Sequence, residues 1–380
     1  MKNIFLRMKI LIINSVCGIR STGRIVADLA EQYISAGHEC RIAYGRENVP
    51  EKYKNISYQI GTELNVKVNA LKVRIFDNEA FNAKKETLKF IEWANNYNPD
   101  VVWLHNVHGY YINIELLFKW IKSRPDMEVK WTLHDCWPFT GHCYHFSYIK
   151  CEKWKYGCHH CPQKRSYPSS ILLDSSKANF IRKKECFCGV KNMTLITPSQ
   201  WLANLVRKSF LGEYPVEIAH NTIDTSSFKP LESNFRENND LSERIIILGV
   251  ASAWGERKGL YEFIELSQRI DTKYKIVLVG LTEKQIKKMP TNILCVPRTD
   301  SKIELAEIYT CADVFLNLSK EETFGLTIIE ALSCGAYPIV YKGTACEEVV
   351  DCYGGLAVEQ NINDVIDAIY RVTNHPDVEK

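Results

Sequence analysis

The stretch DVFLNLSKEETFGLTIIEALSCGAYPIVYK, residues 313–342, reads as strand, helix and strand. DVFLNLS (313–319) and YPIVYK (337–342) are short, nearly continuous apolar runs, the pattern of parallel strands covered on both faces. Between them Leu326, Ile329 and Leu332, with Ile328 alongside, form a helical stripe that stops at Gly335. Strand, amphipathic helix and strand in so short a span make a βαβ unit.

The same rhythm extends upstream. RIIILGVAS (244–252), KIVLVG (275–280) and ILCVP (293–297) are strand-like runs separated by the helical stretches KGLYEFIELSQRI, TEKQIKKM and SKIELAEIYTCA. That alternation predicts a doubly wound α/β domain. The first half repeats it less regularly, through KILIIN (9–14), VADLAEQYISAG, RIAYG (41–45), DVVWLHNVH (100–108), LLFKWIKS and KWTLHD (130–135). Residues 220–244 are polar and aperiodic and contain Pro230, so their second part reads as a linker. The expectation is an α/β chain of two Rossmann-like doubly wound domains, at 1–228 and 229–380, with a cysteine-rich loop inserted at 136–162. Such sheets hold ligands beyond the carboxyl ends of their strands, which predicts two domains facing one cleft.

Composition narrows the function. A net charge of +3 from 48 basic and 45 acidic residues is not the footprint of a dedicated nucleic-acid binder. No apolar run reaches the roughly 18 residues needed to span a bilayer. MKNIFLRMKILIINSVCGI superficially resembles a leader, but its apolar run is short, holds Asn14 and leads into an amphipathic stretch, so a buried first strand is the better reading. A cytoplasmic chain is expected, with residues 1–7 ahead of Met8 a dispensable start.

The helix after DVFLNLS begins at the mouth of the sheet, where free backbone amides and the positive end of the helix dipole favour phosphate. Gly325 admits close approach to the backbone. Glu322 stands just before the helix and Glu330 within it, about 12 Å further along if the rise were helical throughout. One carboxylate is thus available for each end of an elongated ligand.

These residues resemble the E-x7-E signature of glycosyltransferase family 4, retaining enzymes of GT-B fold that use nucleotide-activated sugars. The resemblance places Glu330 on the nucleotide ribose, Glu322 on the transferred sugar, and the amides of Phe324, Gly325 and Leu326 over sugar and phosphate. ILGVASAWGERKGL (247–260) resembles the segment whose lysine, here Lys258, meets the donor diphosphate. The family's second cation, about six residues earlier, is replaced by Ser252, which leaves Arg257 as its substitute. HNTIDTSSFKP (220–230) is similar to the segment that closes the first domain, with Asn221 and Asp224 in turn and cap duty. In CGIRSTGRIVADLAEQYISAG the match is loose. Gly23 is the candidate for backbone approach to a sugar or acceptor and Arg24 for an anion, against a glycine that merely completes a turn. Family members commonly end in a long helix returning to the first domain, whereas only about one helix's worth of chain follows Gly355.

HDCWPFTGHCYHFSYIKCEKWKYGCHHCP (134–162) begins where KWTLHD ends, so His134 and Asp135 are placed at the cleft. The resemblance gives His134 a hydrogen bond to a donor-sugar hydroxyl. Among fourteen cysteines, Cys143, Cys151, Cys158 and Cys161 run C-x7-C-x6-C-x2-C, a set suited to a structural zinc in a reducing compartment, with unliganded buried thiols and an iron–sulfur cluster as the alternatives. His142, His145, His159 and His160 are alternates, Cys186 and Cys188 are competitors, and Cys136 is a packing residue. The insertion's pattern is similar to that of a colanic-acid-like subgroup of bacterial polysaccharide glycosyltransferases. It reads as a clip beside the chemistry, with Trp137, Phe139 and Tyr144 available to stack on sugars.

The expected activity is retaining transfer of a sugar from a nucleotide diphosphate sugar to a glycan or lipid-linked acceptor in cell-surface polysaccharide synthesis. The expected enzyme needs no catalytic metal and touches the inner face of a membrane peripherally. Its rivals are a sugar-nucleotide epimerase or phosphorylase on the same fold, and a zinc-stabilised binder without turnover.

Overall fold

The computed structural model describes residues 7–374. Residues 1–6 of the expected dispensable start, and the tail 375–380, lie outside the described residues. The chain falls into two compact units, Met1–Ala219 and His220–Lys380.

The strands of the first unit are β1 (Lys9–Asn14), β2 (Glu39–Tyr44), β3 (Ser57–Gln59), β4 (Val101–Leu104), β5 (Glu128–Thr132), β6 (Met193–Thr197) and β7 (Val216–Ile218). They form one parallel sheet in the order β3-β2-β1-β4-β5-β6-β7. Its helices are α1 (Arg20–Ser35), α2 (Glu63–Phe76), α3 (Lys84–Tyr97), α4 (Ile114–Lys122), α5 (Ser176–Phe187) and α6 (Gln200–Arg207). Leu11 and Ile13 of β1 belong to one apolar core and Ile10 and Ile12 to another, because successive side chains of a strand point to opposite faces. A strand covered on both faces must therefore be apolar at every position, as KILIIN nearly is.

The second unit has β8 (Ile245–Val250), β9 (Tyr274–Val279), β10 (Ile293–Val296), β11 (Val314–Asn317), β12 (Tyr337–Tyr341) and β13 (Leu356–Val358). All neighbours are parallel, in the order β10-β9-β8-β11-β12-β13. Around them lie α7 (Phe235–Asn238), α8 (Leu260–Arg269), α9 (Glu283–Ile286), α10 (Lys302–Thr310), α11 (Leu326–Ser333), α12 (Ala345–Tyr353) and α13 (Ile362–Asn374). In both sheets the winding reverses once, between β1 and β4 and between β8 and β11. The loops leaving those strands run to opposite faces and open a crevice, the place where doubly wound sheets bind ligands.

Two expectations need correction. The division falls at Ala219/His220, before residue 228, because 220–244 is packed structure of the second unit rather than a linker. Phe228 is buried against Tyr309 at a ring separation of 6.2 Å, and Arg236 donates to Cys311 O and to Asp313 Oδ2. Asp224 accepts from Ser226, Ser227 and Lys302, which hold its carboxyl far below the usual range.

Candidate active site

In the second unit the loops that follow β8 and β11 meet at the crevice, joined where Lys320 N donates to Arg257 O at 2.9 Å. Gly259 lies on the first loop with a φ of 77°, and a Cβ there would stand 2.6 Å from Leu318. Only glycine lets the two loops close to this distance. Their contact places Lys258 Nζ in an ion pair with Glu322 Oε2 and Arg257 Nε 3.5 Å from Glu321 Oε2. Glu321 is buried, while Lys258 and Glu322 keep part of their surface.

Helix α11 starts after Gly325, whose φ is 94°. No side chain caps this end, and Ile328 N donates to Gly325 O at 2.9 Å, which leaves the Leu326 and Thr327 amides as the donors for a ligand. A Cβ at Gly325 would meet Ile328 Cδ1 at 2.8 Å. Phe324 is buried and packs on His220 at 5.4 Å, so its ring anchors the loop while its backbone faces the helix start. His220 is fixed in turn by the Tyr353 hydroxyl at 2.9 Å and Glu348 at 3.3 Å. Glu330, one turn into α11, accepts from the buried Tyr309 hydroxyl at 3.1 Å. Burial, then the charge of Glu330, push the Tyr309 phenol far above its usual range and keep it a donor.

The corresponding reversal in the first unit is made of imidazoles. His105 follows β4, and its Nδ1 lies 2.9 Å from His134 Nε2 beyond β5, with rings stacked at 5.2 Å. Desolvation drives both pKa values down, His134 to about 4, with Asp135 pulling it up and His108 pushing it down. His134 is therefore neutral near pH 7 and acts as a hydrogen-bonding group. His108 Nε2 pairs with Asp135 Oδ2 at 3.1 Å, and Asp135 also takes the Trp137 amide at 2.9 Å. Burial raises the Asp135 pKa, but the charge and hydrogen bond of His108 bring it below the ordinary value. Tyr144 packs edge-on to His108 at 4.5 Å and donates to the buried Glu79 carboxylate.

The family of Glycosyl transferases group 1 matches residues 232–380. The second unit is a group 1 glycosyltransferase domain. The chain is a glycosyltransferase. It is 23% identical over 360 residues to the putative colanic acid biosynthesis glycosyl transferase WcaC of Escherichia coli, covering 88% of this chain and 84% of that one. A 28% match to an N,N'-diacetylbacillosaminyl-diphospho-undecaprenol alpha-1,3-N-acetylgalactosaminyltransferase of Campylobacter jejuni covers 36% and 37% of the two chains. Among solved structures, a sucrose-phosphate synthase of Thermosynechococcus elongatus aligns with a TM-score of 0.67 at 16% identity, over 98% of this chain and 91% of that one. Anabaena HepE in complex with UDP and glucose aligns at 0.64 and 14%, over 98% and 92%. These likenesses establish the GT-B type of fold.

The glycosyltransferase domain thus unites Lys258, Glu322, Arg257, Phe324, Gly325, Leu326 and Glu330 around one crevice. His134 and Asp135 join His105 and His108 in the first unit. Gly23 and Arg24 both lie in the first turns of α1. Gly23 lies inside the first turns of α1, where a Cβ would meet Val16 Cγ2 at 3.0 Å, so its bareness serves packing of helix on loop. Arg24 is exposed on the same helix. His105, His108, Glu79, Tyr309 and His220 were missed. A sequence signal existed only for the first two, as the H-N-V-H that ends a strand.

The cysteine-rich segment 136–162 has an apolar centre of its own: Trp154 stacks on Phe146 at 4.7 Å and leans on Phe139 at 5.5 Å. Trp137, Phe139 and Tyr144 are buried packing residues rather than sugar platforms. Cys143, Cys151, Cys158 and Cys161 line one cavity with His142. Cys143 and Cys161 hydrogen-bond each other, and Cys158 accepts the Gly141 amide at 3.2 Å. Among the described residues no three His, Cys, Asp or Glu stand in a closed metal-ligating group. Cys186 and Cys188 donate to Ile114 O and Phe210 O and are not part of this cavity. His142 is fully buried, its Nδ1 2.5 Å from Asp77 Oδ1 and its Nε2 without a partner, a deficit of about 1–3 kcal/mol.

Proposed function

We infer that this glycosyltransferase moves a sugar from a nucleoside diphosphate sugar to a glycan or lipid-linked glycan, with retention at the anomeric carbon, in cell-surface polysaccharide synthesis. The observation that carries the reading is the Lys258–Glu322 ion pair beside the uncapped start of α11 at the switch point of the second sheet. Amides and a lysine suit a pyrophosphate, a carboxylate suits sugar hydroxyls, and Glu330 suits a ribose. Structures of HepE with UDP and with UDP-glucose support a donor of this class, and the name of WcaC supports the polysaccharide setting.

In the reaction the bond from the anomeric carbon to the phosphate oxygen breaks, and the acceptor oxygen bonds to the same face of that carbon. The acceptor proton passes to the departing phosphate. Lys258 and the α11 amides stabilise the charge that develops there. His134, held neutral, supplies a hydrogen bond to the sugar.

A peripheral membrane contact on the cytoplasmic face fits α2. Leu64, Val68 and Leu71 are exposed at i, i+4 and i+7, flanked by the exposed Lys67, Lys72 and Arg74. Ile171–Leu173 are also exposed and hydrogen-bond the end of the same helix. Apolar side chains ringed by cations match an anionic bilayer surface. Among the described residues no helix is long and apolar enough to cross a membrane.

A thermal-shift series with UDP-, GDP- and ADP-sugars tests the reading. One donor should raise Tm, by about 2.7 kcal/mol of added stability at a hundredfold excess over Kd. With an acceptor extract it should yield a product of unchanged anomeric configuration. No shift with any nucleotide sugar, or an inverted product, would refute it.

A further inference from the structure

We propose that the cysteine-rich insertion binds one zinc ion through His142 Nε2 and the thiolates of Cys143, Cys158 and Cys161, with Asp77 orienting the imidazole and Cys151 outside the shell. The inference is independent of the sugar-transfer reading, since it concerns a separate cavity.

His142 carries the argument. Its side chain is fully buried, Nδ1 is committed to Asp77, and Nε2 has no hydrogen-bond partner, in a residue that lines one cavity with Cys143, Cys151, Cys158 and Cys161. Burial lowers the His142 pKa, but the hydrogen bond and charge of Asp77 bring it above the ordinary value, so a zinc ion takes the place of the Nε2 proton while Nδ1 stays on the carboxylate. That is the arrangement of a zinc-bound histidine, whose second nitrogen is characteristically held by a carboxylate that fixes tautomer and ring.

The sulfurs divide unequally. Cys143, Cys158 and Cys161 interact with one another, and Cys161 also with His142. Cys151 lines the same cavity and interacts with Cys158. Four places in a tetrahedral shell cannot take five donors. His142 has no other bond for Nε2, so it takes one place and Cys151 yields it. The Gly141 amide already points at Cys158 Sγ, a contact that favours thiolate over thiol.

Charge balance agrees. Three thiolates and a neutral imidazole leave a zinc site with one negative charge, and a buried charge requires a partner. Lys183 is almost completely buried, donates to Trp137 O and Thr140 O, and interacts with Cys143 and Cys158 as well as Glu79. Burial lowers its pKa to about 7, while Glu79 and the two cysteines pull it up, so a negatively charged zinc site beside it is the partner that would hold its proton. The Cys143–Cys161 hydrogen bond is a contact of protonated sulfur. On binding, the ion replaces it, and the thiol protons leave to solvent.

X-ray absorption at the zinc edge on the full-length, zinc-equilibrated protein should show one ion per chain with three sulfurs at about 2.3 Å and one nitrogen at about 2.0–2.1 Å. C151S should keep metal and shell, H142Q should lose the nitrogen, and D77N should weaken zinc about 10- to 100-fold in chelator competition. The wild-type spectrum alone decides the matter if a variant fails to fold. A four-sulfur shell, a Cys143–Cys161 disulfide in metal-free protein, or no zinc retained after equilibration would each overturn the proposal.

Discussion

The two switch points of this molecule use the same strand order with opposite electrostatics. Between β8 and β11 the crevice is lined by full charges that satisfy one another, Lys258 with Glu322 and Arg257 with Glu321. Beyond β4 and β5 the corresponding groups are imidazoles forced neutral by burial and by a neighbouring imidazole, His105 by His134 and His134 by His108. A crevice with pre-paired charges can exchange one partner for an anion at small cost, because its part-exposed cation is already aimed. A crevice of neutral donors and acceptors offers hydroxyl recognition without attracting anions. The difference teaches that one topology can carry either a charged crevice or a neutral hydrogen-bonding one, and that the side chains at the strand ends choose which.

The sharpest way to break this comparison is to separate Lys258 from Glu322. K258A should lower kcat by about 10²–10³, the usual loss when one donor to a developing oxyanion is removed. E322Q should also abolish most transfer, yet UDP alone should bind it as well as or better than the wild type, since a carboxylate beside the pyrophosphate has been neutralised. Calorimetric titration with UDP checks this split. If E322Q lost UDP binding in parallel with turnover, the pair would be a scaffold and the charge-exchange argument would fail.

How much of this was legible in the sequence follows from range. β11, α11 and β12 were readable within thirty residues because apolar period and Gly335 agree locally. Glu322, Gly325 and Glu330 ride on that unit, and Lys258 was reachable as the cation of the neighbouring βα turn. The partners were not legible. Asp77 and Glu79 meet His142 and Tyr144 across 65 positions, and Tyr309 meets Glu330 from α10; no local pattern encodes such pairs. The polar segment 220–244, whose second part was read as linker, was hard to place for the opposite reason. Its anchors are few and single, Phe228 in the core and Arg236 on carbonyls, too sparse to show a period.

The imidazole side predicts a particular acid response. His134 and His105 are neutral when folded at a pH where the unfolded chain still takes up protons at its ordinary value of 6.5. Their contribution is complete above pH 6.5 and is lost as pH falls towards about 4, where His134 titrates in the folded state. For His134 this amounts to about 3 kcal/mol at most. Denaturant midpoints between pH 7 and 4 should fall accordingly, and the fall should shrink in H105Q. An unchanged slope in that variant would show that the two rings are not coupled.

The smallest effect sharpens the charged side. Tyr309 contributes one hydroxyl to Glu330, from a ring that is otherwise packed between Phe228 and Phe315. Y309F preserves the packing and removes only that donor, so stability should drop by about 1.5 kcal/mol, the net worth of one hydrogen bond to a charged acceptor at the low end of its range. Glu330 then loses an anchor, and UDP affinity should weaken only a few-fold, with kcat nearly unchanged, because the ribose lies away from the bond being broken. A large loss of kcat in Y309F would mean that Glu330 acts on the chemistry itself, and the division of labour along α11 would have to be redrawn.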